Sequence, residues 1–566
     1  MANIAGNLPS TLNRSRSSIV FLNAETTAGT IATHPTTLTR FGLTTPPVIG
    51  QAGNYTDTSE IGPELISVDR VLNYMDYSSF DFEYYAKPGG VTDTALSAPT
   101  GIAGTLGSAS VTVTTSGTVA VGDTVLIAGN TDTDASLING LQIVTATNAG
   151  VDFTFSASSV LTANATTHAG MSVSKRVITE SEEGEIIYRA LGGRKYMSTA
   201  HNGYYQGTPS SSNAAYVAPY TTITSSNAST IQYYLANAVN TFTVTSRQFT
   251  DQSVQMYTAT GSLPTSWSVS LAKDGPVTFT TGFQSNRVYY TGTAEVDNSG
   301  PLTLASGADT TVTVTAPKRH ASDSAVNAED IAFYQSLSTL GSLVKVRDSA
   351  GAEQGPFEVV AISGATVTLD TDNSAGNGTT GSGSALPAGN TFLIPYTPEP
   401  CPDTTSILDQ RSVQVYMTDQ LTGSGMAPEG TANTQLFHVD NVLDVTAVSF
   451  DFDRSVTTPG LTEMTGEEFP PASYVINEPT ITGSLTLLLR PKDFQLMNSI
   501  RAEPHRAIGV EIGTTAGNRI QIAAPSCFLE VPTPGDADGA TQIDIPFTVV
   551  RGAECEDADK FMVRYF

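Results

Sequence analysis

Few residues in this chain have the type and spacing that chemistry needs. The six histidines, His34, His168, His201, His320, His438 and His505, are scattered, and none forms an i, i+4 pair. The chain has no HExxH, phosphate-loop, GxSxG or dinucleotide motif. Cys401, Cys527 and Cys555 are far apart and odd in number, so they imply neither a zinc site nor a disulfide framework. Acidic turns offer the best oxygen clusters: Asp132 with Asp134, Asp370 with Asp372 and Asn373, and Asp536 with Asp538. A calcium ion needs several oxygens from one loop, but no turn here completes the twelve-residue pattern that ends in Glu. These turns read as solvated acidic surface. Paired carboxylates of a glycosidase have no sequence spacing of their own, and nothing points to them here. No catalytic residue, cofactor or metal ligand is expected, and the protein is not expected to be an enzyme.

The elements that would position such residues are strands. The sequence has 566 residues, 14% of them charged and 39% hydrophobic, and is rich in Thr, Ser, Gly, Ala and Val. This mixture suits strands and turns. Net charge is −27, from 27 basic and 54 acidic residues, which argues against gripping nucleic acid through phosphates. The same charge suits a wall that nucleic acid must not stick to. No run of about 18 apolar residues occurs, so no membrane span is expected. The N-terminus lacks an apolar stretch of signal-peptide length, and assembly in a cytoplasm is the expectation.

The organising stretch is 59–88. A polar lead-in, Ser59 to Arg70, runs into Phe80, Phe82 and Tyr84, which alternate with Asp81, Glu83 and Tyr85. That period marks a strand with one buried face. It stops at Lys87-Pro88. A second copy of the plan occupies 473–494, where Ile481 to Leu489 stops at Arg490-Pro491. Short strands are also expected at Ser18–Asn23 and Thr37–Thr44. Arg14 and Arg16 mark an N-terminal arm. Helices are expected at 179–193, capped by Thr179 or Ser181 and stopped by Gly192-Gly193, at 228–239 and at Lys492–Arg501. Trp267, the single tryptophan, alternates with Val269 and Leu271 and should point inward.

Two stretches poor in charge interrupt this plan, each with strand-like runs every 8–15 residues. They read as small inserted β domains. Val121-Gly122-Asp123-Thr124-Val125 is a turn feeding a strand in the first. The second contains Thr371–Asn390, expected to be a flexible, exposed loop. The two share a plan and read as one barrel-like fold used twice. The resulting division is 1–90 and 176–298 for a first module, 91–175 and 299–400 for the inserts, and 401–566 for a second module.

Several segments, taken in order, resemble the tail tube (major tail) proteins of long-tailed bacteriophages. They are Ser59-Glu60-Ile61 with Asp69-Arg70, then Phe82-Glu83-Tyr84; Phe242-Thr243-Val244 with Arg247-Gln248-Phe249-Thr250-Asp251 and Gly261; Ile481-Thr482-Gly483-Ser484-Leu485-Thr486; and Gly517-Asn518-Arg519-Ile520-Gln521-Ile522 with Pro525. The Val121–Gly129 turn matches inserts carried by family members. The resemblance implies a mainly β fold with a sandwich or barrel core, here two tandem modules with short helices plus the inserts. It implies a virion tail protein whose stacked rings surround an acidic channel for the DNA genome. The expected partners are other copies of the chain, the tail tip, tape measure and tail terminator proteins, and genomic DNA passing without specific binding. Three subunits would supply six modules and a pseudo-sixfold ring; six subunits per ring is the alternative. The competing functions are another β-rich virion or surface-layer protein (capsid decoration, tail fibre or adhesin) and a β-rich polysaccharide-degrading enzyme.

Overall fold

A computed structural model describes residues 18–565 apart from 30–41, 60–67, 199–229, 316–342, 397–406, 420–435, 458–472, 551–560 and a scatter of shorter stretches. The fold is mainly β. The body is built from β1 (Ser18–Ala24), β2 (Ser78–Tyr85), α1 (Glu182–Ala190), β3 (Phe242–Phe249), β4 (Val254–Leu271), β5 (Thr278–Ser285) and β6 (Arg287–Gly292) in its first half. The second half contributes β7 (Val413–Asp419), β8 (Ala447–Asp453), β9 (Thr480–Leu488), α2 (Asp493–Ala502), β10 (His505–Thr515), β11 (Asn518–Leu529), β12 (Thr533–Ala537), β13 (Ala540–Val549) and β14 (Met562–Tyr565).

The two halves repeat one pairing plan. β1 pairs β3 as β7 pairs β10, and β3 pairs β4 as β10 pairs β11. The first part of β4 pairs β6 as the first part of β11 pairs β14. The later part of β4 pairs β5 as the end of β11 pairs β13, and β5 and β13 then pair β2 and β9. β2 and β9 are the two alternating runs that end at Lys87-Pro88 and Arg490-Pro491. Each is followed in its own half by the helix, directly in the second half and after the first insert in the first.

β4 and β11 are long because the two ends of each pair with different strands. β4 runs for 18 residues through Gly261, whose φ of 60° favours glycine, and Pro264. Its register shifts between Pro264 and Ser266. Such a bulge turns a corner without ending the strand. Glu25 secures the corner. Its carboxylate accepts from Thr241 Oγ1 (2.6 Å), Thr243 Oγ1 (2.9 Å), and the backbone N–H of Gly261 (2.9 Å) and Gly29 (2.8 Å). A buried carboxylate satisfied by this many donors is a rigid joint.

One hydrophobic core spans both halves, taking in Phe80, Phe82, Trp267 and Phe283 from the first and Phe450, Ile543, Phe547 and Phe561 from the second. Trp267 is 1% exposed and meets Phe279 (5.2 Å) and Phe561 (6.3 Å). Burial of an aromatic this large dominates the local energetics. Ser181 caps α1 by accepting from Gly184 N–H at 3.1 Å. Arg454, buried between the halves, donates to the Arg189 carbonyl at the end of that helix (3.0 Å).

The inserts have cores of their own. In the first, strands lie in the order 91–95, 172–178, 124–128, 140–148, 152–156, 110–114 and 101–104. In the second, the order 294–296, 391–396, 343–347, 353–363, 366–370 and 310–315 follows the same path, and 294–296 pairs with both 391–396 and 310–315, closing a six-stranded barrel.

One expectation is overturned. The segment 228–239 is not helical where described: Thr230–Tyr234 is a strand between Arg194–Ser198 and β14, because ladder bonds on both sides outweigh a weak helical pattern. The loop after Leu369 is exposed along most of its described length, as expected, and is tied to the insert at several points. Thr371 is fully buried, Gly381 N–H donates to its carbonyl (2.7 Å), Gly383 N–H donates to Leu304 O (3.0 Å), and Ala385–Leu386 pairs with Leu302–Thr303. The Arg14/Arg16 arm, most of Thr37–Thr44, the Gly192-Gly193 stop, and Cys401 and Cys555 lie outside the described residues. Cys527 is buried with a free thiol whose pKa is pushed far up by burial.

Candidate functional site: an acidic sheet face

The sheet that joins the two halves runs β2, β5, β4, β8, β9, β13 and then the end of β11 with β12. Successive side chains on a strand take opposite faces. On β2, Phe80, Phe82 and Tyr84 are buried, which sends Asp81 and Glu83 to the other face. On β8 the same alternation buries Val448, Phe450 and Phe452 and exposes Asp451 and Asp453. On β13 it buries Ile543, Ile545 and Phe547 and exposes Asp544.

The registers line these residues into rows across the sheet. One row is Glu83, Thr280, Ser268, Asp451, Thr482 and Thr548. The next is Asp81, Gly282, Ser266, Asp453 and Thr480. On the other side lie Ser270, Ser449, Ser484 and Pro546, then Ala447, Thr486 and Asp544. No lysine or arginine stands in these rows. The face is made of carboxylates set in a field of hydroxyls.

The hydroxyls hold the carboxylates and one another. Thr486 Oγ1 donates to Asp544 Oδ1 (2.8 Å), as does Gln542 Nε2 (3.1 Å). Thr44 Oγ1 donates to Glu83 Oε2 (2.8 Å), and Ser449 and Ser484 share a hydrogen bond of 3.1 Å. Partial burial on the sheet raises the Asp451 pKa above the ordinary carboxylate value. Gly282 lets the face close. A Cβ there would lie 2.5 Å from Ser266 Oγ and 3.0 Å from Asp81 Oδ1. Carboxylates set among hydroxyls in these rows repel polyanions.

The acidic turns have other uses. Asp134 accepts from the Thr162 N–H and Ala163 N–H (2.8 Å each) and Thr162 Oγ1 (2.7 Å), and Asp132 from Thr166 N–H (2.7 Å) and Oγ1 (2.6 Å). The Thr162 hydroxyl is the main reason the Asp134 pKa is lowered. Both carboxylates therefore latch the turn to the 162–166 segment. Asp370 and Asp372 come together with Asp309, their carboxylate oxygens within 4.8 Å of one another. Asp370 already accepts from Ser374 and Ala375 N–H (2.9 Å each), which makes the group a tied turn. Asp536 lies on β12, and Asp538 lies outside the described residues. Of the histidines, only His505 is described. It stands at the start of β10 with its ring 5.5 Å from that of Phe528. No helix among the described residues is long and apolar enough to cross a membrane.

The residues of the acidic face were partly visible in sequence. Phe80–Tyr85 alternates, and Phe450-Asp451-Phe452-Asp453 and Ile543-Asp544-Ile545 carry the same signal of an acid between core residues. Only the strand order shows that the three lie on one face.

No family model matches the chain, and no curated protein matches it. Among solved structures it is similar to the phage phi92 endosialidase, at 13% identity and a TM-score of 0.12, over 49% of this chain and 42% of that one. The chain thus spans less than half the length of that protein, and a likeness of this size carries no argument.

Proposed function

We propose that the chain is the subunit of a phage tail tube, stacked in rings around a channel for the DNA genome, with the acidic face of the joining sheet turned to the channel. The observation that carries the reading is the two adjacent rows of carboxylates, Glu83 with Asp451 and Asp81 with Asp453, among serines and threonines, with no lysine or arginine in either row. DNA carries one negative charge per about 1.7 Å of helix axis, so a wall of the same sign keeps it from adhering as it slides. The −27 net charge fits the same role. Two modules per chain favour three copies per ring. On this reading the protein belongs to the virion tail and meets the tail tip, tape measure and terminator proteins at the tube ends.

Negative-stain images of the purified chain test the assembly. Stacked rings with a central hole are expected, and isolated monomers or flat lattices overturn the reading. Replacing Asp81, Glu83, Asp451 and Asp453 by Lys tests the wall. Tubes should still form while genome ejection slows or stops; unchanged infectivity would sink the channel assignment.

A further inference from the structure

Gly53–Ser59 and Val68–Met75 form an antiparallel ribbon, and among the described residues they pair only with each other. A lone pair of strands is marginal in water. The ribbon is closed at its base, where Asp76 N–H donates to Ala52 O (2.8 Å). Only Asp76 and Tyr77 separate its second strand from β2, the strand that carries Asp81 and Glu83.

Gln51 stands at that base and uses every polar group of its side chain. Its Nε2 donates to Asp76 O (2.8 Å) and to Asn286 O (2.9 Å), and its Oε1 accepts from Val288 N–H (3.0 Å). Its backbone N–H donates to Tyr290 Oη (3.1 Å). Beside it, Ser78 Oγ donates to Gly50 O (2.5 Å). A primary amide offers two donors and an acceptor, so one side chain ties the end of the ribbon to the turn after β5 and to the start of β6.

That turn is itself tied to the corner of β4. Asn286 N–H donates to Thr260 O (3.2 Å), and Thr260 Oγ1 donates to Asn286 Oδ1 (3.2 Å). Gly261, the next residue, is held on both sides. Glu25 takes its N–H, and Tyr474 Oη donates to its carbonyl (2.5 Å) and reaches Gln284 O (3.2 Å). The Tyr474 ring lies 5.9 Å from that of Tyr77, which gives the ribbon base a second tie to the same corner. A hydrogen-bond network of this kind stiffens the residues it joins.

We propose that Gln51 is the pivot of a hinged ribbon. The ribbon opens and bends about residues 51 and 76, and the clamp stops that motion before it enters β2. Asp81 and Glu83 therefore keep their places opposite Gly282 and Thr280 while the ribbon moves. The device is built into a single chain and does not depend on what the chain assembles into.

Peptide-resolved hydrogen exchange on the full-length chain tests this, with parent and variants compared in the same assembly state by size-exclusion chromatography. In the parent, protection should step up sharply between 68–75 and 78–85, because an element held at one end opens at lower cost than the sheet it joins. Gln51→Glu keeps the shape and removes both donations to Asp76 O and Asn286 O. The ribbon should then exchange about tenfold faster or more, the effect of losing two hydrogen bonds of ordinary net strength, and the step should move into the first residues of β2. Residues 447–453 of β8 should stay as in the parent. Tyr290→Phe removes only the acceptor of the Gln51 backbone N–H and should give a smaller change in the same peptides. Gln255→Ala, exposed on β4 and outside the clamp, should change nothing there. A parent in which ribbon and β2 exchange together overturns the proposal. So does Gln51→Glu with an unchanged ribbon, or with faster exchange spread over β8 as well. Should Gln51→Glu fail to fold by circular dichroism, Tyr290→Phe decides: its faster exchange must be confined to the ribbon and the start of β2, and no change or a general one overturns the pivot.

Discussion

The two halves of the body share one pairing plan but differ in what lies beside the later part of their corner strands, β4 and β11. Trp267, in the later part of β4, is covered by Phe452 and Phe561, whereas Val531, just past the end of β11, faces solvent and the next residue, Pro532, is buried. A second difference lies one strand away. Phe80 stacks on Phe283 at 5.6 Å in the first half, but its counterpart is Gly483. There β8 lies alongside, and Phe450 presses on Phe547 at 5.3 Å, so the space a side chain would need is already filled. One pairing plan has thus been packed in two ways: the stacking ring comes from β2 in the first half and from β8 in the second.

The largest expected effect tests the cover itself. Trp267→Ala should destabilise the unassembled chain by about 3–5 kcal/mol in denaturant unfolding, the usual cost of emptying a buried aromatic site. Val531→Ala in the same assay should stay within about 0.5 kcal/mol, as surface substitutions do. Equal losses would erase the asymmetry. Gly483→Ala comes next. Its Cβ would lie 2.2 Å from Ser449 O and 2.3 Å from the Phe547 ring, and overpacking of this kind costs about 1–3 kcal/mol. The double variant Gly483→Ala with Phe547→Leu should recover part of the loss; no recovery would show that the backbone contact, rather than the ring, sets the limit.

The smallest effect concerns the acidic face. Burial raises the Asp451 pKa, so the folded chain holds this proton more tightly than the unfolded one. Its contribution is most favourable below the unfolded value near 3.8 and declines as pH rises through the raised folded value. Asp451→Asn should therefore melt slightly higher than the parent at pH 7, and the gap should close by pH 3.5. A gap that persists in acid would mean that the effect is not the carboxylate's charge.

Much of the fold was legible in the chain because alternation is a local signal. Phe80 to Tyr85, Ser18 to Asn23 and the Ser181 cap all formed where periodicity and capping chemistry put them. What was not legible has non-local reasons. Thr230–Tyr234 is a strand because two partners far away in sequence flank it. The Thr371–Asn390 loop is held by Leu304 and Pro356, which composition cannot show. The corner in β4 is not legible locally because Glu25, the carboxylate that secures it, lies more than 200 residues away.

By itself the sequence determined the class of the protein: strand-rich, strongly acidic, interrupted twice by low-charge inserts, and carrying one strand-and-helix plan in two places. These follow from composition and short-range spacing, which depend on no partner. Only the tertiary structure decided that Asp81, Glu83, Asp451, Asp453 and Asp544 share a face, that β8 joins the two halves, and that Trp267 is covered while Val531 is not. Strand order and register are set by contacts between residues hundreds of positions apart, and local chemistry does not encode which strand a given edge will find.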